Sequence, residues 1–143
     1  MTYVDVVLSS VSVDLPTGLR IVAAAHAEAA RRSVLVSAAV VDAGGHLVAF
    51  GRMDGAEIAG PVLAVDKAYT AVANRTATSE LAELAAPGGE LFGIHANGGG
   101  RFVIFAGGVP IVVDGVVVGA VGVSGASAAD DEACALAGLA AVE

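Results

Sequence analysis

Residues Pro110–Gly125 have the sequence PIVVDGVVVGAVGVSG, in which two valine-rich runs flank the dipeptide Asp114-Gly115. An Asp-Gly pair between two β-branched runs favours the tight turn of a two-residue β-hairpin. The stretch therefore predicts two antiparallel strands, Pro110–Val113 and Val116–Val123.

A second hairpin is predicted upstream. Leu35–Val41 is rich in β-branched residues, Asp42–Gly45 supplies turn residues, and His46–Arg52 resumes the strand pattern. Arg101–Phe105 predicts one further strand. We therefore expect a five-stranded antiparallel sheet.

Helices are predicted between and around these strands. Asp14 before Pro16 is typical of a helix start, and Leu19, Val22, Ala23, His26 and Ala30 follow helical spacing on one apolar face. The remaining predicted helices are Gly60 to about Asn74, about Ser79 to Ala86, and a final helix capped by Asp130 and reaching Val142. Hairpins separated by helices favour an antiparallel sheet packed against helices, in a single α+β domain over residues 1–143.

The charge of the chain limits its partners. It has 143 residues with 7 basic and 15 acidic side chains, a formal net charge of -8. This acidic balance argues against nucleic acid, whose phosphates would be repelled. Only 15% of the residues are charged, against about 25% in a typical soluble domain. A surface of alanine and glycine would explain this deficit in a monomer, but we expect a homo-oligomer that buries apolar surface between subunits.

The sequence also bears on location. The longest uncharged stretches, Phe102–Val113 and Gly115–Ala129, are shorter than the ~20 residues of a membrane-spanning helix. The first residues lack the pattern of a signal peptide. Cys134 is the single cysteine and is expected to be a small core residue. A lone thiol is typical of a reducing compartment, so we expect a cytoplasmic protein.

Four sequence blocks occur in a familiar order and spacing: VVDAGGHLVAFGRMDGA at Val40–Ala56, KAYTA at Lys67–Ala71, GGVPI at Gly107–Ile111 and DGVVVGAVGVSG at Asp114–Gly125. Over nearly the whole chain they resemble the GlcG/HbpS family, which includes the C-terminal domain of PduO-type proteins. The resemblance implies a profilin-like α+β fold with a five-stranded antiparallel sheet, and oligomers. It also implies varied functions: some members bind haem, and others are linked to glycolate or corrinoid metabolism.

Lys67 is the only lysine of the chain and lies among small residues of a predicted helix. Its ammonium can be held in a cleft, where it would pair with a carboxylate or, if desolvated, lose its proton near neutral pH. The alternative is an exposed side chain paired with Asp66 or Glu57. Helical geometry makes Thr70 and Asn74 its expected polar partners.

Other candidate ligand groups have structural alternatives. Asp42 can move a proton or, alternatively, can accept backbone N–H bonds in its turn. Arg52 can bind a carboxylate or haem propionate, or pair with Asp54 or Asp42 within the fold. Gly122 and Ser124 lie in a glycine-rich strand that either lets a ligand approach the backbone or allows close packing.

The three histidines are far apart in the sequence and show no zinc-ligand spacing. One histidine is nevertheless enough to ligate haem iron. His26, on the apolar helix face, is the candidate for that ligand, and its alternative is a core histidine bonded to a carbonyl or carboxylate. His46 is expected at the hairpin edge. His95 lies in the glycine-rich stretch Pro87–Gly100, where it can act as an acid or base or simply be solvated.

Two main functional hypotheses follow. The first is a small-ligand-binding protein that takes haem or a related tetrapyrrole. The second is an enzyme without an organic cofactor, an isomerase, lyase or hydratase that moves a proton on a small carboxylate or carbonyl metabolite. In the enzyme, Lys67 or Arg52 would hold the acid, and the proton would be moved by Asp42, His46 or His95. A weaker third hypothesis is an accessory subunit that docks on a metabolic enzyme.

Overall fold

The structure, a computed structural model, describes residues 11–143. Most of the N-terminal stretch, from which we expect no signal peptide, therefore lies outside the described residues. Four α-helices, four strands and two single-turn 3-10 helices occur within this part of the chain. The helices are α1 (Leu15–Arg31), α2 (Gly60–Asn74), α3 (Thr78–Leu84) and α4 (Ala128–Ala140). The strands are β1 (Ser37–Asp42), β2 (Leu47–Arg52), β3 (Gly108–Val113) and β4 (Val116–Ser124).

The strands form one antiparallel sheet in the order β2-β1-β4-β3. Both predicted hairpins are confirmed. Within residues 11–143 the sheet has four strands, and the predicted strand at Arg101–Phe105 is wrong. The Thr70 hydroxyl of α2 explains why: it accepts a hydrogen bond from the Val103 N–H at 2.9 Å and lies 3.2 Å from the Arg101 carbonyl oxygen, while it donates to the Asp66 carbonyl at 2.7 Å. A helix side chain thus bonds the backbone groups that a neighbouring strand would otherwise pair.

Helices cover both faces of the sheet. On one face, α1 and α4 pack over alternate strand residues, and the core there includes Ile21, Val40, Val121, Val123 and Cys134. On the other face, α2 packs over the residues between them, with a smaller core of Val41, Ala68, Ala71, Val72 and Ala120. The buried position of Cys134 agrees with its expected role as a core residue.

Helix α2 contacts the sheet directly at two glycines. A Cβ on Gly122 of β4 would lie 2.0 Å from the Ala64 carbonyl oxygen, and one on Gly108 of β3 would lie 2.3 Å from the Lys67 carbonyl oxygen. Any larger residue would push the helix away. Gly122 therefore serves the close packing that was one of its two predicted roles.

The helix starts confirm one sequence prediction and correct another. The α1 cap is Asp14, as predicted, and its carboxylate accepts from the Thr17 N–H at 2.9 Å. The α4 cap is Ser127 rather than Asp130: the Ser127 hydroxyl accepts from the Asp130 N–H at 3.1 Å. A serine hydroxyl fits this position as well as a carboxylate does.

The predicted apolar face of α1 is rotated from the true one. The residues buried against the sheet are Gly18, Ile21, Val22, Ala25 and Ala29. Leu19, Ala23 and Ala30 are exposed, and His26 is half-buried between the two sets. Among the described residues, no helix has the length and apolar character needed to cross a membrane.

Candidate functional site

Lys67 forms a buried ion pair with Asp131, the fourth residue of α4. The Lys67 Nζ lies 3.0 Å from the Asp131 Oδ2 and donates a second hydrogen bond to the Val123 carbonyl at 3.0 Å. The two side chains are only 1% and 3% exposed. The pair therefore joins α2, β4 and α4, which lie on both sides of the sheet.

Three further groups surround this ion pair. The second carboxylate oxygen of Asp131 accepts from the Ala126 N–H at 2.9 Å. The Lys67 Nζ lies 5.0 Å from the centre of the Phe105 ring, a distance at which a cation is attracted to an aromatic face. A Cβ on Gly107 would lie 2.7 Å from this Nζ. Glycine at 107 leaves the space that the ammonium occupies.

Burial shifts both titrating groups of the pair toward their neutral forms. It lowers the pKa of the Lys67 ammonium, although the Asp131 carboxylate and, more weakly, Glu57 oppose the shift. It raises the pKa of the Asp131 carboxyl, against the opposing effects of Lys67 and the Ala126 N–H. Each charge therefore depends on the other to remain ionised in the core.

The structure corrects the expected partners of Lys67. Asp66 is paired instead with Arg101, at 3.0 Å and partly exposed. Thr70 is hydrogen-bonded to backbone atoms of Asp66, Arg101 and Val103, and the Asn74 side chain donates to the Thr70 carbonyl at 3.0 Å. Neither Thr70 nor Asn74 is bonded to Lys67.

No local signal distinguishes Asp131, because it stands in an acidic run, Asp130–Glu132, that is typical of a helix start. Its partner lies 64 residues away in the chain. The one available signal was Lys67 itself, because a single lysine among small residues requires a carboxylate if it is buried.

Asp42 and His46 belong to the β1–β2 turn. The Asp42 Oδ1 accepts from the Gly44 and His46 N–H groups, both at 2.9 Å, and lies 3.3 Å from the His46 Nδ1. Burial alone would raise the pKa of Asp42, but the bonds from His46 and Gly44 outweigh it, and the net pKa lies below the usual value. The turn is thus held by an ionised Asp42, and the His46 side chain is 82% exposed.

Arg52, Ser124 and the unpredicted Ser37 occupy one row of the sheet, because Ser37 pairs in register with both of the others. Arg52 is exposed, and among residues 11–143 it has no carboxylate within ion-pair distance. The Ser37 hydroxyl is buried and, within the described part of the chain, is the only such side-chain atom without a hydrogen-bond partner. Gly60, which begins α2, lies directly over it.

His26 contacts the edge strand β2. Its Nε2 lies 2.9 Å from the Gly51 carbonyl oxygen, and a Cβ on Gly51 would be 2.7 Å from the ring. Since a carbonyl only accepts, Nε2 is the donor of this hydrogen bond. His95 is exposed in the 3-10 helix Ile94–Ala96. The predicted acid–base residues Lys67, Asp42, His46 and His95 are therefore not gathered at one place.

Comparison with known proteins gives this fold a family. The family model described as "Haem degrading protein HbpS-like" matches residues 13–140. The chain belongs to the HbpS-like family. The resemblance seen in the sequence blocks is confirmed.

This HbpS-like chain is similar to proteins known from their sequences and to a solved structure. An uncharacterised 15.0 kDa protein of the dhaT-dhaS intergenic region of Citrobacter freundii is 37% identical over 120 residues, covering 84% of each chain. Protein GlcG of Escherichia coli K12 is 40% identical over 104 residues, covering 73% of this chain and 75% of GlcG. The crystal structure of a PduOC:haem complex superposes with a TM-score of 0.88 and 35% identity, covering 92% of this chain and 95% of that one.

Proposed function

We propose that this HbpS-like chain binds haem or a related tetrapyrrole, with His26 of α1 as the ligand to the iron. Haem is bound by the PduOC domain of its complex, which shares this fold. The observation in this chain that carries the proposal is the position of His26 at the border of an exposed apolar helix face.

That face would suit a flat apolar macrocycle. Leu15 and Leu19 are 52% and 51% exposed, and Ala23 and Ala30 on the same side of α1 are also exposed. A contiguous patch of exposed apolar side chains often marks a binding surface. The half-buried imidazole of His26 is the polar group within this otherwise apolar face.

The hydrogen bond of His26 supports the same role. Metal-bound histidines usually donate the N–H of their second nitrogen to a carbonyl or carboxylate, which fixes the ring and makes it a better ligand. The contact from Nε2 to the Gly51 carbonyl is a bond of this kind. It leaves Nδ1 as the nitrogen that would bind the iron.

A haemin titration tests the proposal. We expect a saturable shift of the Soret band in the natural protein and loss of that shift, or a change in its position, in His26→Ala. His95→Ala is the matched control, because His95 is exposed in a different segment, and it should titrate like the natural protein. A haemin spectrum of His26→Ala identical to that of the natural protein would exclude ligation by His26. The absence of any saturable shift in the natural protein would exclude haem binding.

We also propose that the protein is a homo-oligomer. Besides the low charge content, several large apolar side chains are exposed to solvent: Ile58 is 89% exposed, Val62 66% and Phe92 64%. Burial between copies would remove this apolar surface from water. Sedimentation equilibrium should give a mass that is a multiple of the 13.9 kDa chain. A monomer at micromolar concentration would contradict the expectation.

The cytoplasmic location remains a prediction from the sequence.

A further inference from the structure

A groove of about 470 Å³ lies at the tip of the β3–β4 hairpin, where the C-terminal end of α2 approaches the β1–β2 turn. Its lining includes Val113, Val116, Val117 and Val118 from the hairpin, Ala43 from the turn and Arg75 from the end of the helix. This volume falls within the range of ~300–1,000 Å³ typical of small-molecule sites. Val113 and Val116 are 49% and 56% exposed, so the groove presents apolar surface to solvent.

Arg75 contributes a positive charge to this groove. It is exposed, and among residues 11–143 no carboxylate lies within ion-pair distance of its guanidinium. A second, smaller groove of about 210 Å³ is also lined by Arg75, together with Val116 and Val117. Among the described residues, Arg75 is thus the one basic residue that lines both grooves.

The backbone of Arg75 is unusual for its position. Arg75 ends α2 in the left-handed region, with φ 53° and ψ 40°. The Thr76 N–H then bonds to the Ala71 carbonyl at 3.2 Å, which closes the helix. Helices that end in this way usually carry glycine or asparagine there, because a larger side chain is strained. An arginine at this position is explained if its side chain has a task in the groove.

We propose that this groove binds a small anionic amphiphile, with its carboxylate or sulfonate group on Arg75 and its aliphatic or aromatic body on the valines. A guanidinium binds a planar carboxylate through paired N–H bonds. Asp114 also lines this groove and disfavours a second negative charge, so a ligand with one charged end fits best. A cationic amphiphile would meet the repulsion of Arg75 instead.

This site is separate from the proposed haem site. Gly51, which contacts His26, pairs with Ala38 near the start of β1, whereas Ala43 follows the last residue of that strand. His26 and the groove residue Ala43 therefore lie toward opposite ends of β1, and substitutions at Arg75 or Ala43 should leave ligation by His26 unchanged.

Fluorescence titration with anilinonaphthalene sulfonate, an aromatic anion, tests the site. We expect saturable binding that octanoate displaces and octylammonium does not. Arg75→Gln should weaken binding about tenfold or more, the effect of losing a charged hydrogen bond. Arg31→Gln is the matched control, since Arg31 is exposed at the end of α1, and it should bind like the natural protein. Neither arginine variant should change the haemin titration.

A second variant keeps the test decisive if Arg75→Gln does not fold. Ala43→Phe places a ring in the groove from an exposed turn residue, and it should reduce the dye signal while the circular dichroism spectrum remains native. Equal binding in Arg75→Gln and the natural protein would overturn the proposal. So would displacement by octylammonium as strong as that by octanoate, or an unchanged dye signal in Ala43→Phe.

Discussion

Replacing Lys67 with methionine should destabilise the protein strongly. Methionine keeps most of the length of the lysine stem but removes the ammonium, and with it the bonds to Val123 and Asp131. The Asp131 carboxylate would then remain only 3% exposed with no opposite charge in contact. Breaking a buried ion pair by removing one partner typically costs about 3–5 kcal/mol.

The free energy needed to protonate Asp131 gives an independent estimate of the lost stability, and it is of similar size. In the variant, the folded chain can avoid an unpaired charge by protonating Asp131. For a carboxyl with an ordinary pKa of 3.8, protonation at pH 7 costs about 4 kcal/mol. The loss of stability should therefore approach this value at pH 7.

The same linkage fixes the direction of the pH dependence. Burial already raises the pKa of the folded Asp131 carboxyl above its usual value. Without Lys67 to oppose this shift, the folded variant should hold a proton that the unfolded variant releases. Stability of Lys67→Met should accordingly rise as the pH falls from 7 toward 3.8. Most of the penalty should disappear over this range.

Urea unfolding followed by circular dichroism, at one fixed protein concentration, measures these changes. Asp131→Asn in the Lys67→Met background keeps an acceptor for the Ala126 N–H and removes the unpaired charge, so the double variant should recover much of the lost stability. The control is Arg101→Met, which breaks the partly exposed pair with Asp66 and should cost at most about 1 kcal/mol. The reasoning would be refuted if Lys67→Met lost less unfolding free energy than Arg101→Met. It would also be refuted if the double variant were no more stable than Lys67→Met alone.

Four further variants or labels test the packing. Gly122→Ala should cost about 3 kcal/mol or prevent folding, because the new Cβ would lie 2.0 Å from the Ala64 carbonyl; thermal unfolding shows it. Burial raises the pKa of Cys134 to about 11, so a thiol reagent should react only after denaturant is added. Arg75→Gly should raise the stability by about 0.5–1 kcal/mol by relieving the left-handed backbone. Ser37→Ala should be neutral or slightly stabilising in urea unfolding, because its hydroxyl has no hydrogen-bond partner among residues 11–143.

Local signals predicted most of the elements well. The predicted helix Gly60–Asn74 has the same bounds in the structure, because Gly60-Pro61 marks its start. The Asp114-Gly115 turn placed β3 and β4 to within two residues at each end. The strand predicted at Arg101–Phe105 failed because a long-range partner, the Thr70 hydroxyl, bonds its backbone, and no local pattern reveals such a partner.

The site was less accessible to sequence reasoning than the fold. The burial of Lys67 was foreseen as one alternative, but Asp131 was missed, because ion pairs between distant elements depend on how a helix rotates against the sheet. The same uncertainty affected α1, whose core face was placed too far toward Leu19 and Ala23. An error of one position along a helix corresponds to a rotation of about 100° around the helix axis.

Because the single lysine of this sequence is 1% exposed, lysine-directed labels and crosslinkers find no reachable ε-amine in the folded chain. The rate at which Lys67 becomes acylated then reports how often α2 and α4 separate. One peptide in a mass spectrum would thus measure the opening of the protein interior.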